Sequence, residues 1–333
     1  AASDVYKRQV YMGTPDFAVE ALRQLVEGGY NVVGVITMPD KPAGRGHKIQ
    51  YSPVKQYALE QNLPLLQPEK LKDEAFVQAL REWKADLQIV VAFRMLPEVV
   101  WSMPRLGTFN LHASLLPQYR GAAPINWAVI NGDTETGITT FFLKHEIDTG
   151  EVIQQVRVPI ADTDNVEIVH DKLMMLGGKL VVETVDAILN GVVKPVPQEE
   201  MAIVGELRPA PKIFKETCRI DWKQPVKKVY DFIRGLSPYP AAWSELVSPE
   251  GEVVVVKIFE TEKYIRNEGK RCRNSRGCFC KVGSIETDGK KYIKVAVPDG
   301  FVSVLSLQLP GKKRLKTDEL LRGFRLTNEY KMN

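Results

Sequence analysis

The sequence predicts an α/β protein in which a doubly wound parallel sheet is followed by a small β-barrel domain. Three observations support this class. The chain has 333 residues, roughly twice the length of an average domain. Short apolar runs alternate with amphipathic segments through the first half, as in strand-helix-strand units. From Arg208 onward, one helical segment is followed by short β-rich runs separated by turn residues, a pattern typical of a small barrel.

The elements of the first part follow from its apolar periodicity. Residues 10–12 predict a strand, residues 17–27 a helix that Gly28 ends, and residues 32–37 the next strand, so the sheet is expected to be parallel. Because ligands of such sheets lie at the carboxyl ends of the strands, we expect the functional site there. The other predicted elements are strands over residues 87–93, 108–112 and 138–143, and helices over residues 53–61, 125–131 and 166–189.

The second part starts after a segment without periodicity. Residues 191–198 hold two prolines, and we predict a linker over residues 191–207 between a first domain of residues 1–190 and a second of residues 208–333. Residues 268–282 show no clear period and are expected to form a loop. The predicted elements of the second domain are a helix over residues 226–236 and strands over residues 242–247, 252–259, 292–297 and 302–309.

Charge is distributed unevenly along the chain. The formal net charge is +4, but residues 1–207 carry −7 and residues 208–333 carry +11. A basic second domain indicates a polyanionic partner, of which nucleic acid is the commonest. The alternative is a solvated basic surface without a partner.

Composition and cysteine usage exclude several classes of protein. The longest apolar run, residues 89–93, is far shorter than the ~20 residues that cross a bilayer, so a membrane protein is excluded. Residues 1–9 are polar and resemble neither a secretory signal nor a transit peptide, so we expect a cytoplasmic protein. The four cysteines, of which Cys218 is the first, lack the paired spacing of a zinc site, and we expect free thiols and no metal.

The common cofactor motifs of α/β proteins are missing. The first strand is followed by Gly13-Thr14-Pro15-Asp16-Phe17, with one glycine where a dinucleotide-binding turn needs three. Neither a P-loop nor the nucleophile elbow of serine hydrolases occurs in the chain. Nicotinamide, ATP and acyl-enzyme chemistry are therefore disfavoured.

Three polar side chains are expected where the sheet ends. Asn110 and His112 are two residues apart on one predicted strand, so their side chains share a face at a spacing of about 6.6–7 Å. Asp148 follows the next strand, where Gly150 permits a tight turn. An amide, an imidazole and a carboxylate can then converge on one reacting atom. Taken singly, each group has a structural alternative, because histidine and asparagine at strand ends often serve only as hydrogen-bonding groups.

The residues around these three side chains form a longer motif. It reads Asn110-x-His112-x-Ser114-Leu115-Leu116-Pro117-x-x-Arg120-Gly121 and is followed by Asp148-Thr149-Gly150. This motif resembles the signature of enzymes that use 10-formyltetrahydrofolate. Further matches, at residues 13–18, 39–46, 122–125, 211–213 and 221–222, are similar to the methionyl-tRNA formyltransferase family. The resemblance implies a Rossmann-like domain that binds the folate donor and an OB-like barrel that binds tRNA.

The resemblance also implies roles for individual residues. Asn110, His112 and Asp148 match the catalytic residues of the family. Basic residues are implied as phosphate contacts, and for them the alternative is a solvated surface. The implied folate contacts are Ser114, Leu115, Leu116 and Pro117; the candidate tRNA contacts are Lys41, Arg45 and Lys48 from the family's basic loop, and Lys312 and Lys313 from the charge of the second domain.

The expected reaction transfers the formyl group of 10-formyltetrahydrofolate to the α-amino group of methionyl initiator tRNA, in a monomer that needs neither a metal nor a membrane. We expect Asn110 to donate to the formyl oxygen, His112 to donate there or to take the amine proton, and Asp148 to orient His112. Arg120 either fixes its own loop or contacts a substrate. The alternatives are a formyltransferase for a small amine such as a nucleotide sugar or purine precursor, a formyl-folate hydrolase, and an RNA-binding module with a scaffold α/β half.

Overall fold

The computed structural model describes residues 6–43, 48–203, 205–266 and 281–333. The chain divides into two compact units, each assembled from three stretches of sequence. The domain boundaries expected from the sequence, at residues 190 and 208, stay a prediction. The first unit consists of Ala1–Pro124, Glu135–Pro159 and His170–Pro211, and the second of Ile125–Thr134, Ile160–Val169 and Lys212–Asn333.

Most strands of the first unit form one sheet, and two short ones form a separate antiparallel hairpin. In chain order the strands are β1 (Gln9–Gly13), β2 (Val32–Ile36), β3 (Lys41–Ala43), β4 (Lys48–Gln50), β5 (Leu65–Leu66), β6 (Leu87–Val91), β7 (Thr108–His112), β8 (Glu135–Phe142) and β9 (Val152–Pro159). The hairpin is β3 with β4.

The main sheet has the strand order β5-β2-β1-β6-β7-β8-β9. The first five of these strands pair in parallel, which confirms the predicted doubly wound class. At one edge the sheet is antiparallel, which the sequence did not predict: β8 pairs antiparallel with β7, and β9 pairs antiparallel with β8. Connection length explains the second of these pairs, because residues 143–151 between β8 and β9 are too few for a parallel crossover, which needs a dozen or more.

Helices and strands of this unit form for local reasons that the sequence shows. Strands β1 and β6 are buried along their whole length, as parallel strands covered on both faces must be. The second helix begins where Ser52 caps it, since the Ser52 hydroxyl accepts the backbone N–H of Lys55 at 3.0 Å. The helices up to residue 190 are α1 (Asp16–Glu27), α2 (Pro53–Glu60), α3 (Glu74–Glu82), α4 (Glu98–Trp101), α5 (Pro124–Ile130) and α6 (Val166–Leu189).

The second unit is mainly antiparallel β-structure. The predicted helix and the four predicted strands are all present, whereas the helix over Thr317–Gly323 and three very short strands were not predicted. Besides most of α5 and the start of α6, its helices and strands in the described part of the chain are α7 (Val226–Arg234), β10 (Ala242–Val247), β11 (Val253–Ile265), β12 (Ile285–Thr287), β13 (Ile293–Val297), β14 (Gly300–Gln308), β15 (Leu315–Lys316), α8 (Thr317–Gly323) and β16 (Lys331–Met332).

The sheet of the second unit nearly closes into a barrel, as predicted. Its strand order is β12-β13-β14-β11-β10-β16, and an isolated bridge between Ser284 and Lys331 joins the two edges. The backbone N–H of Met332 also donates to the Gly283 carbonyl at 2.9 Å across this seam. Buried side chains of α7, including Val229 and Ile233, belong to the same apolar core as the inward-facing strand residues. The barrel therefore has a continuous core.

Some sequence-based expectations fall outside the described residues. They concern Arg45, the cysteines Cys272, Cys278 and Cys280, and most of the loop predicted over residues 268–282. The remaining cysteine, Cys218, is a free thiol whose pKa is raised by burial. Within the described part of the chain, no helix is long and apolar enough to cross a membrane.

Candidate active site

Asn110 and His112 lie on β7, at the carboxyl edge where the sheet changes from parallel to antiparallel pairing. Their side chains share one face because they are two residues apart on a strand. His112 is 7% exposed, and Asn110 is half-buried. In the described part of the chain the buried Oδ1 of Asn110 has no hydrogen-bond partner. A buried amide oxygen without a donor from the protein suits a position where a substrate can donate to it.

The imidazole of His112 is held by a backbone carbonyl. Its Nε2 lies 2.8 Å from the carbonyl oxygen of Tyr119, and because a carbonyl only accepts, Nε2 must carry the proton. Its Nδ1 faces the Asp148 carboxylate, with 3.8 Å between Nδ1 and Oδ2. That distance is too long for a hydrogen bond. In this structure the hydrogen bond that holds the ring is the one to Tyr119, and the role of Asp148 in orienting His112 stays a prediction.

Asp148 is fixed by the loop that follows β7. It has a left-handed backbone with φ of 55°, and its Oδ2 accepts the backbone N–H of Gly121 at 3.0 Å. Gly121 has φ of 127°, and a Cβ there would lie 2.5 Å from the Ala210 carbonyl oxygen, so this position requires glycine. The structure thus brings Asp148 to His112 through the same loop that supplies the Tyr119 carbonyl.

The segment Ser114 to Pro117 is clamped by β8 and β9. The Thr139 hydroxyl donates to the Ser114 carbonyl at 2.7 Å and accepts the Leu116 N–H at 3.2 Å. Gln155 on β9 donates to the Leu116 carbonyl at 3.0 Å. The side chains of Ser114 and Leu116 are buried, so they pack into the protein interior and hold the segment in place. A rigid loop next to the catalytic candidates results.

Gln198 is a residue that the sequence reasoning missed. It falls in the predicted linker, yet it is 1% exposed and belongs to the first unit. Its side-chain amide donates to the carbonyl oxygens of Asp148 and Gly150 at 2.7 and 2.9 Å. Its Oε1 accepts from Nε and Nη2 of Arg120 at 3.0 and 2.7 Å. No sequence signal points to it, because its partners lie 48 to 78 residues earlier in the chain.

The predicted tRNA loop forms the β3–β4 hairpin on the first unit. Lys41 and Lys48 are exposed on its two strands, whereas Arg45 lies outside the described residues. The base of the hairpin is fixed, because Asp40 accepts from the largely buried Lys55 ammonium at 2.7 Å. This hydrogen bond lowers the pKa of the Asp40 carboxyl. The hairpin therefore presents the exposed cations of Lys41 and Lys48 from an anchored base.

Two further candidates, Lys312 and Lys313, lie between β14 and β15 of the second unit and are exposed there. In the described part of the chain, no group of three or more histidine, cysteine, aspartate or glutamate side chains is arranged to hold a metal ion.

Comparison with known proteins identifies the family of the chain. Residues 7–185 match the family profile described as formyl transferase, and residues 212–325 match the formyl transferase C-terminal domain. The chain is also 87% identical over 326 residues to the methionyl-tRNA formyltransferase of Bacteroides thetaiotaomicron, with 98% of both chains covered. This chain belongs to the methionyl-tRNA formyltransferase family.

Other members and more distant structures support the family assignment and the fold. The methionyl-tRNA formyltransferase of Bacteroides fragilis is 84% identical over 325 residues, which is 98% of this chain and 97% of that one. The crystal structure of WlaRD, a sugar 3N-formyl transferase, superposes with a TM-score of 0.61 at 16% identity, covering 92% of this formyltransferase and 99% of that chain. At that identity, the likeness shows a shared fold alone.

Proposed function

We propose that this formyltransferase transfers the formyl group of 10-formyltetrahydrofolate to the α-amino group of methionyl initiator tRNA. The observation that carries the proposal is the environment of His112. Its Nε2–H is committed to the Tyr119 carbonyl, which leaves Nδ1 as a proton acceptor beside the Asp148 carboxylate. The two relatives compared above, which this chain matches over 97% or more of their length, are both named methionyl-tRNA formyltransferase.

The reaction is an acyl transfer through a tetrahedral intermediate. The attacking α-amine has a pKa of about 7.7, so a neutral amine costs only about 1 kcal/mol at neutral pH. Stabilising the developing oxyanion contributes more, since one well-placed donor lowers the barrier by about 2.7–4 kcal/mol. The Asn110 amide, at the carboxyl edge of β7, is the group that we propose for this donation.

His112 moves the proton in this scheme. As the new N–C bond forms, the amine proton passes to Nδ1, and the resulting imidazolium is stabilised by Asp148 at 3.8 Å. The bond between the formyl carbon and the folate nitrogen then breaks, and the proton is delivered to that nitrogen. Throughout, the hydrogen bond from Nε2 to Tyr119 keeps the ring in place.

The donor is proposed to lie against the clamped segment from Ser114 to Pro117. Its backbone is held by Thr139 and Gln155, so it can offer a fixed surface beside Asn110 and His112. The structure of WlaRD was determined in the presence of 5-N-formyl-THF, a related formylated folate. The family to which this chain belongs supports a folate-derived donor for the present formyltransferase.

The tRNA is proposed to meet basic surfaces on both units. On the first unit these are Lys41 and Lys48 of the β3–β4 hairpin, and on the second they are Lys312 and Lys313. The charge of +11 over residues 208–333 favours a polyanionic substrate over a small amine. We place the reaction in the cytoplasm and propose that a monomer carries it out.

The direct test is formylation of methionyl initiator tRNA with a formyl donor labelled in its formyl carbon. The label should appear on the methionyl amine, and His112→Ala should slow the single-turnover rate by roughly a hundredfold or more. Label released as formate without any amine acceptor would indicate a formyl-folate hydrolase instead. Transfer to a small amine but not to the aminoacylated tRNA would contradict the proposed substrate.

A further inference from the structure

We infer that Gln198 is a positioning residue for the reaction, one that sets the Asp148 carboxylate against His112. The inference rests on the proposed catalytic role of Asp148. The Gln198 amide bonds neither the His112 ring nor the Asp148 carboxylate. It bonds both segments that hold the carboxylate, the turn at Asp148 and the loop at Arg120.

The side chain of Gln198 is fully used. An amide offers two N–H donors and one oxygen with two lone pairs. Here both donors are directed at backbone carbonyls, those of Asp148 and Gly150, and both lone pairs are filled by the Arg120 guanidinium. With 1% of the residue exposed, water does not compete for these bonds. Such a saturated, buried amide defines one geometry for its partners.

The first segment that Gln198 holds is the turn at Asp148. Asp148 has a left-handed φ of 55°, a conformation that most side chains avoid and that aspartate adopts more readily than most. Gly150 closes the turn so tightly that a Cβ would lie 1.5 Å from the Phe142 carbonyl oxygen. Hydrogen bonds from one amide to the carbonyls of both residues stabilise this turn against relaxation.

The second segment is the loop at Arg120 and Gly121. Gly121 N–H donates to Asp148 Oδ2 at 3.0 Å, and this is the same oxygen that faces His112. Because Arg120 is bonded to Gln198 at two atoms, the loop and the turn are fixed to one point. This geometry supports the loop-fixing role for Arg120 and leaves a substrate contact unneeded.

Gln198 is itself anchored to the sheet. Val196, two residues earlier, pairs with Val152 of β9 through reciprocal backbone hydrogen bonds of 2.8 and 2.9 Å. A short 3-10 turn, Gln198–Glu200, follows directly. The predicted linker therefore supports the site at this point. Through Gln198 and the Val196–Val152 pair, the Asp148 turn is anchored to β9 of the sheet.

The test compares Gln198→Ala and Gln198→Glu with the parent enzyme. Glutamate keeps an acceptor for Arg120 but, when ionised, donates to neither carbonyl. We expect both variants to lower kcat by roughly a hundredfold, since a displacement of about 1 Å can cost that much, while KM for donor and tRNA stays within about threefold. For Gln198→Glu, kcat relative to the parent should rise as pH falls, because a protonated carboxyl regains one donor.

Gln154 provides a matched control. It lies on β9 in the same unit and accepts a hydrogen bond from Thr184 at 3.1 Å, away from the Asp148 turn. Gln154→Ala should leave kcat within about twofold of the parent value. Thermal melting of every variant shows whether it folds, and if Gln198→Ala does not fold, Gln198→Glu carries the test.

The outcomes separate this inference from the proposed function. If Asp148→Asn loses activity while both Gln198 variants keep the parent kcat and pH profile, the positioning role is overturned and the site stands. A parallel loss of kcat, melting temperature and substrate affinity in Gln198→Glu would also overturn it, because that is the signature of general unfolding. Full activity in Asp148→Asn would instead remove the proposed site itself.

Discussion

Replacing Asp148 by asparagine isolates the charge that faces His112. An asparagine oxygen can occupy the place of Oδ2 and still accept the Gly121 N–H, which the parent carboxylate does at 3.0 Å. The turn and the loop should therefore keep their geometry. What disappears is the negative charge 3.8 Å from Nδ1, the atom that takes up the amine proton in the proposed reaction.

The size of the effect follows from this distance and from burial. The His112 and Asp148 side chains are only 8% and 11% exposed, so solvent screens the pair weakly. Two unit charges at this separation attract by about 4 kcal/mol at an effective dielectric constant near 20. Since each ~1.4 kcal/mol of barrier changes a rate tenfold, kcat should fall by about 10²–10³-fold.

Single-turnover formylation of methionyl initiator tRNA measures this effect on the chemical step. KM for donor and tRNA should change by no more than about threefold, because the charge is needed mainly in the transition state. The melting temperature should stay close to that of the parent. An Asp148→Asn enzyme within fivefold of the parent rate would refute the role of the carboxylate in stabilising the imidazolium.

Three further predictions concern the loop, the hairpin and the tight turn. Thr139→Val removes the group that binds the Leu116 N–H, a loss of about 1–3 kcal/mol, and should raise KM for the donor roughly tenfold with KM for tRNA unchanged. Lys48→Ala should raise KM for tRNA. It should also reduce, by about one, the slope of the logarithm of the tRNA binding constant against the logarithm of salt concentration. Gly150→Ala should destabilise the fold by more than about 3 kcal/mol in denaturant melts, since its Cβ would overlap the Phe142 carbonyl.

Matched variants sharpen these three tests. Gly191 has φ of 66° but open space around its Cβ position, so Gly191→Ala should cost only about 1–2 kcal/mol. Lys72 is exposed and outside the hairpin, and Lys72→Ala should leave tRNA binding unchanged. Equal effects of Lys48→Ala and Lys72→Ala would show that the hairpin makes no specific contact. If Thr139→Val leaves KM for the donor unchanged, the clamped segment from Ser114 to Pro117 does not take part in donor binding.

Much of the fold was predictable because its signals are local. The buried strand β6, the capped helix α2 and the turn-rich second unit each follow from periodicity or from a capping residue. The placement of Asn110 and His112 on one face of β7 follows from the two-residue repeat of a strand. The family motif then implied their roles. These features depend on residues a few positions apart.

Strand direction and the support of the site depended on the tertiary structure. An apolar run predicts a strand but carries no information on direction, and the connection from β7 to β8 is long enough for either direction, so the antiparallel pairing of β8 with β7 could not be recognised. Likewise, the proton on Nε2 of His112 is placed by the Tyr119 carbonyl, a backbone atom that no side-chain pattern reveals.

By itself, the sequence determined the class of fold, the catalytic candidates and the uneven charge of the two halves. Only the tertiary structure decided how the carboxylate is held. Gln198 meets Arg120 and the Asp148 turn across 78 and 50 residues of chain. The physical reason is that a buried amide must find four partners wherever the fold brings them, and a linker-like segment with two prolines gives no local sign of that demand.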